Sequence, residues 1–125
     1  MSGRILIVDD EPHIRRILRV ALAAKRYEVT EAESGEDALT LMHSGKCDLL
    51  LLDINMPGIT GLELCRNLRS TSDLMDVAVV VMSTGEEHRA KALDAGADDY
   101  LSKPFGIMQV FSCVESNLKQ SGSGG

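Results

Sequence analysis

An α/β fold, a doubly wound parallel sheet with helices on both faces, is predicted by three features of this 125-residue chain. Strand-like and helix-like stretches alternate five times along it. The strand-like stretches are near-continuous apolar runs rather than in/out alternations, the mark of strands buried on both faces. The third feature is where those runs stop: Leu49 to Leu52 ends at Asp53, just before Pro57-Gly58, and Ile5 to Val8 ends at Asp9-Asp10. In doubly wound sheets ligands bind outside the C-terminal strand ends, beside the point where the strand order reverses, so these acids are expected at the functional edge.

In order, Arg4 to Val8 is the first strand, and Pro12 suits the first turn of the helix that follows. Ile14, Ile17, Leu18, Ala21 and Leu22 fall at the spacing of one helical face. Tyr27 to Ala32 alternates weakly and reads as a less buried strand near an edge. Ser34-Gly35-Glu36-Asp37 has N-cap spacing and leads to Ala38, Leu41 and Met42 on one face. After the leucine run, Thr60-Gly61-Leu62-Glu63 repeats that spacing ahead of Leu64, Cys65 and Leu68. Val77 to Met82 is a fourth, fully apolar strand. A fourth helix is expected over about Glu86 to Ala95, alanine-rich and loosely packed, with Gly96 as its C-terminal cap. Asp99 to Ser102 is a short fifth strand closed by Lys103-Pro104. Ile107, Val110, Phe111, Val114 and Leu118 form the stripe of a last helix. The reading is of one domain over residues 1–120 and a flexible Gly/Ser tail over 121–125, either a natural hinge or an engineered scar.

Composition narrows the function. At 44% hydrophobic and 26% charged residues the chain can build one core without staples. A net charge of −6, with two Tyr, two Phe and no Trp, disfavours nucleic acid and anionic membrane as partners. No apolar stretch approaches the roughly 18 residues of a membrane span, and no signal-peptide pattern precedes the first strand, so a cytoplasmic location is expected. Cys47, Cys65 and Cys113 lack disulfide or zinc spacing and read as free, mostly buried thiols.

Asp9, Asp10, Asp53, Ser83 and Lys103 are all expected at the C-terminal sheet edge. Carboxylates brought together raise one another's pKa unless a cation is present. Oxygen ligands without His or thiolate suit a hard ion such as Mg²⁺. A carboxylate can attack phosphorus, with a metal and a lysine neutralising the phosphoryl oxygens. The constellation could therefore accept a phosphoryl group on Asp53, with Lys103 and the Ser83 hydroxyl as its partners.

Asp9-Asp10, Asp53 within L-L-D-I-N-M-P-G, Ser83, and Tyr100-Leu-Ser-Lys103-Pro104-Phe105, in this order and each at a strand end, closely resemble the receiver domain of two-component response regulators, over about residues 4–119. The resemblance implies a flavodoxin-like five-stranded sheet in the order 2-1-3-4-5. It implies phosphotransfer to Asp53 from a sensor histidine kinase or a histidine phosphotransfer protein. Mg²⁺ would be held by Asp10, Asp53 and the backbone carbonyl of Asn55, with Asp9 contributing directly or through water. It further implies that the Ser83 hydroxyl is drawn to the phosphoryl group, that Lys103 pairs with it, and that Tyr100 turns inward. The face made by the fourth helix, fifth strand and fifth helix would then change its affinity for a partner, an output domain or a second copy in a phosphorylation-dependent dimer. Such a chain catalyses its own phosphotransfer and dephosphorylation but is a regulator, not a turnover enzyme. It departs from the family at Thr84, where a very small residue is usual, and in a slightly short span from Ser83 to Lys103.

Plainer explanations compete at each position. Asp9 and Asp10 could simply favour a helix N-terminus, Asp53 could cap a loop, Lys103 could be a solvated loop lysine, and Tyr100 a half-buried aromatic. The convergence of three acids and a lysine on one edge outweighs them. Thr84-Gly85-Glu86-Glu87 has capping-box spacing, which makes Thr84 structural. His13, His43 and His88 share no ligand spacing and read as solvated. A phosphatase or mutase of the haloacid dehalogenase kind also uses an Asp nucleophile but needs an acid two residues on, where Asn55 stands. A binding module that works without phosphorylation would not need the intact acids.

Overall fold

The computed structural model describes residues 3–45, 47–56, 58–72 and 74–122, with side chains as far as Leu118 at the C-terminal end. Among them strands and helices alternate as β1 (Arg4–Val8), α1 (Pro12–Ala24), β2 (Glu28–Ala32), α2 (Gly35–Ser44), β3 (Leu49–Asp53), α3 (Gly61–Arg69), β4 (Ala78–Thr84), α4 (Arg89–Asp94), β5 (Asp99–Lys103) and α5 (Ile107–Gly122). The sheet is parallel throughout, in the order β2-β1-β3-β4-β5. β2 is therefore an edge strand and β3 the central one, which is why β2 alternates in burial while Leu49 to Leu52 are wholly buried.

Strand alternation sorts the core into two layers. Ile5, Ile7, Leu49, Leu51, Val80, Met82 and Leu101 face α1 and α5, where Leu18, Leu22, Val110 and Val114 meet them. Leu6, Val8, Leu50, Leu52, Val79, Val81 and Tyr100 face α2, α3 and α4, against Ala38, Met42, Leu64, Cys65, Leu68 and Ala92. Both layers are apolar, and the central strands β3 and β4 carry no polar residue until their C-terminal ends.

The local signals that start helices largely operate as read. Pro12 lies in the first turn of α1. Ser34 caps α2 by accepting from the Asp37 backbone N–H at 3.1 Å. Thr60 and Glu63 close a full capping box on α3. Gly96, at φ +110°, ends α4 in a Schellman motif, in which the Gly96 N–H donates to Leu93 and the Ala97 N–H to Ala92.

Other boundaries differ. β4 runs on through Ser83 and Thr84, because those residues still pair with Ser102 and Lys103 of β5. α4 begins at Arg89 rather than near Glu86: Gly85 turns the chain at φ +73°, and the Glu86 carboxylate is held by Arg89 and Ser102 instead of entering a helix. Thr84 caps nothing. It is the exposed last residue of β4, and His88 at the N-cap makes no side-chain cap bond. Ile17 and Leu41, assigned to buried faces, are 44% and 36% exposed. α5 continues through Ser121 and Gly122, the first two residues of the expected tail. Pro57 and residues 123–125 lie outside the described residues.

Candidate functional site

β1, β3 and β5 bring four charged groups together at their C-terminal ends, three carboxylates and one ammonium. Asp9 is wholly buried just beyond β1, Asp53 closes β3 at 6% exposure, and Asp10 is exposed beside them. Carboxylate oxygens of the three lie within 4.8 Å of one another. The Lys103 ammonium donates to Asp9 Oδ2 at 3.1 Å and to Asp53 Oδ1 at 3.4 Å. By alternation Asp53 and Lys103 lie on the α1/α5 side of the sheet, following Leu51 and Leu101.

The electrostatics follow from this placement. Burial, then the neighbouring Asp9, pushes the Asp53 carboxyl up to about 6, against the pull of Lys103. Burial works against the Lys103 ammonium, but Asp53 and Asp9 outweigh it and raise its pKa. Three carboxylates and one ammonium leave two negative charges in a partly enclosed site with oxygen donors only. That donor set fits a hard divalent cation such as Mg²⁺, with Asp9, Asp10 and Asp53 as the residues able to hold it.

The surrounding loops fix the acids. The Asp9 carboxylate accepts the Glu11 backbone N–H at 2.9 Å, and its carbonyl accepts Arg15 Nη1 at 2.7 Å. Arg15 in turn reaches Glu31 at the end of β2. On the other side of Asp53, α3 starts so close to β3 that a Cβ on Gly61 would lie 2.5 Å from the Asp53 carbonyl oxygen. The Gly61 N–H donates to the Ile54 carbonyl at 3.1 Å, which closes the loop that carries Asn55 in an exposed position.

Ser83 and Tyr100 sit on the opposite face, toward α4, in line with Val81 of β4 and the α4-side core. Ser83 is 1% exposed, and its hydroxyl is hydrogen-bonded to His88 Nδ1 at 3.1 Å. Tyr100 is 3% exposed, its ring already inward, with its hydroxyl donating to the Gly85 carbonyl at 2.7 Å and the Arg89 guanidinium 4.9 Å from the ring centre. Ser102 Oγ lies within hydrogen-bond distance of the same carbonyl and of Glu86.

Thus Asp9, Asp10, Asp53 and Lys103 are brought together as expected from the sequence, whereas Ser83 and Tyr100 bond to His88 and Gly85 on the other face of the sheet. His88, expected to be solvated, is half-buried and bonded to Ser83 instead. Arg15, Glu86 and Arg89 went unnoticed in the sequence. Arg15 could have been found one turn into α1 after the acids; His88 follows Ser83 by five residues through an irregular turn, and no spacing rule covers that.

A family model described as the response regulator receiver domain matches residues 5–115. The chain belongs to the response regulator receiver domain family. It is 41% identical over 121 residues to response regulator MprA of Mycobacterium bovis, covering 97% of this chain and 53% of that protein. This receiver therefore spans about half the length of the curated relatives it matches. Among solved structures it is similar to response regulator TrrA of Thermotoga maritima in complex with Mg²⁺-BeF, at 38% identity and TM-score 0.83, covering 91% of this chain and 97% of that one. It is also similar to the chemotaxis protein CheY4 of Vibrio cholerae, at 27% identity and TM-score 0.86, covering 94% and 98%. The sheet order and the helices on both faces are those of this CheY-like fold. Receivers of two-component systems act as signalling switches and bind Mg²⁺ in an acidic pocket, and here Asp9, Asp10 and Asp53 form such a pocket. Among the described residues no helix is long and apolar enough to cross a membrane.

Proposed function

We propose that this receiver is a phosphoacceptor switch in which Asp53 takes a phosphoryl group from the phosphohistidine of a sensor histidine kinase or a histidine phosphotransfer protein. The observation that carries the reading is the Asp53 carboxylate at the end of the central strand, 3.4 Å from the Lys103 ammonium and beside Asp9 and Asp10. An Asp53 oxygen attacks phosphorus, the P–O bond forms as the P–N bond breaks, and the donor imidazole leaves with the electron pair and takes up a proton. Lys103 then exchanges its contact with Asp53 for one with a phosphoryl oxygen. When bound, Mg²⁺ would neutralise acid and phosphoryl charge, held by Asp10, Asp53 and the Asn55 carbonyl, with Asp9 direct or through water. The Ser83 hydroxyl turns toward the phosphoryl group, and the buried Tyr100 ring keeps the β4–α4 loop in the matching position.

The consequence is a population shift at the α4–β5–α5 face rather than a new fold. Its reader is an output domain, a separate target or a second copy of this chain. The protein regulates rather than turns over substrate. A cytoplasmic location is part of the proposal and suits the three free cysteines.

The test is incubation with acetyl phosphate and Mg²⁺, followed by intact-mass analysis. The native chain gains one phosphoryl group, and Asp53→Asn gains none. Equal gain by both would remove Asp53 as the acceptor.

A further inference from the structure

We propose that His88 is a positioning residue that accepts the Ser83 hydroxyl proton on the α4 side of the sheet in the unphosphorylated protein and has to release it when Asp53 is phosphorylated. The proposal rests on the phosphoacceptor reading of Asp53 and adds to it a competitor for the switch hydroxyl.

Ser83 Oγ is almost wholly buried, and its hydrogen bond goes to His88 Nδ1 at 3.1 Å rather than to the acids across the sheet. A serine hydroxyl has one proton to donate, and a neutral imidazole offers one accepting nitrogen. A phosphoryl oxygen on Asp53 is also an acceptor, so the hydroxyl that donates to it stops donating to His88. With His88 in the tautomer that leaves Nδ1 unprotonated, which the proposal assigns, the two bonds exclude each other.

The loop that carries His88 is not free to drift. Gly85, three residues earlier, accepts the Tyr100 hydroxyl at 2.7 Å, and Arg89, one residue later, lies over the Tyr100 ring. Glu86 binds Arg89 at 2.6 Å, which closes the turn from Gly85 to Arg89 against β5. His88 is thereby held where its Nδ1 meets Ser83, and the helix it caps is only six residues long. Release of Ser83 by His88 is then felt directly at the start of α4.

The experiment is titration of the full chain with beryllofluoride in Mg²⁺, followed by NMR of backbone amides, in the native protein, His88→Ala, His88→Asn, Ser83→Ala and the Ser83→Ala/His88→Ala double variant. Removing the competitor lowers the half-saturating concentration in His88→Ala by about fivefold, the worth of one ordinary hydrogen bond. His88→Asn, which keeps an acceptor at similar reach, stays near the native value. In the Ser83→Ala background His88→Ala has no effect, which a merely structural role of His88 would not produce. Unchanged or weaker binding by His88→Ala, or the same effect with Ser83 absent, overturns the proposal while leaving the phosphoacceptor reading intact. If the native chain binds no beryllofluoride and takes no phosphoryl group on Asp53, that reading fails and the proposal falls with it.

Discussion

Asp53 carries an electrostatic cost in the folded chain. Its carboxyl sits at about 6 instead of its ordinary 3.8, because burial and Asp9 disfavour the charge more than Lys103 favours it. A carboxyl whose pKa is raised on folding destabilises the native state once it ionises there, so the penalty is absent below about pH 4, grows as pH rises toward 6 and is complete above it. At neutral pH its size is on the order of 2–3 kcal/mol. Asp53→Asn, similar in shape but uncharged, should therefore raise the melting temperature at pH 7.5 in the presence of a chelator, with the gain shrinking to little by pH 4. Mg²⁺ offsets the same charge and should narrow the gap at pH 7.5 by stabilising the native chain alone. Scanning calorimetry of both proteins across pH, with and without Mg²⁺, checks this. A gain that is constant from pH 4 to 7.5 would contradict the electrostatic account.

At the scale of elements, the site depends on how tightly α3 abuts β3. An alanine Cβ at Gly61 would meet the Asp53 carbonyl oxygen at 2.5 Å and the Ile54 Cα at 2.7 Å, both backbone atoms that cannot swing aside. Gly61→Ala should cost about 1–3 kcal/mol, the usual range for overpacking, and should slow phosphorylation by displacing Asp53, the proposed acceptor. Gly45→Ala, where a Cβ meets its nearest atom at 3.7 Å, serves as the matched control and should leave both nearly unchanged. Urea unfolding and acetyl phosphate labelling measure the two effects. The capping box at Thr60 and the strand ends at Asp9 and Asp53 were legible in the sequence because they follow from local spacing and from the contrast of an apolar run with an acid. The start of α4 was not, because it is set by contacts made across the sheet edge: Glu86 with Ser102, and Tyr100 with Gly85. The same reason hid His88, whose role comes from a turn that only those contacts define.

For the molecule as a whole, alternation along the strands divides the work. Asp53 and Lys103 lie on the α1/α5 side, where Leu18, Leu22, Val110 and Val114 are wholly buried, and Ser83 and Tyr100 lie on the α4 side. The two sides are anchored unequally. α3 buries Leu64, Cys65 and Leu68, whereas α4 buries Ala92 alone within its six residues and leaves Leu93 45% exposed. Local stability follows buried apolar contact, so α4 should open at lower free energy than its neighbours. Hydrogen exchange should find the amides of 89–97 losing protection before those of α3 and α5. Adding beryllofluoride with Mg²⁺ should change protection chiefly over 85–97, with α1 nearly silent, since the segment that holds Ser83 and Tyr100 is also the one least tied to the core. Protection in α4 equal to that in α3, or a ligand response centred on α1, would show that the switch runs through the better-packed side of the sheet instead.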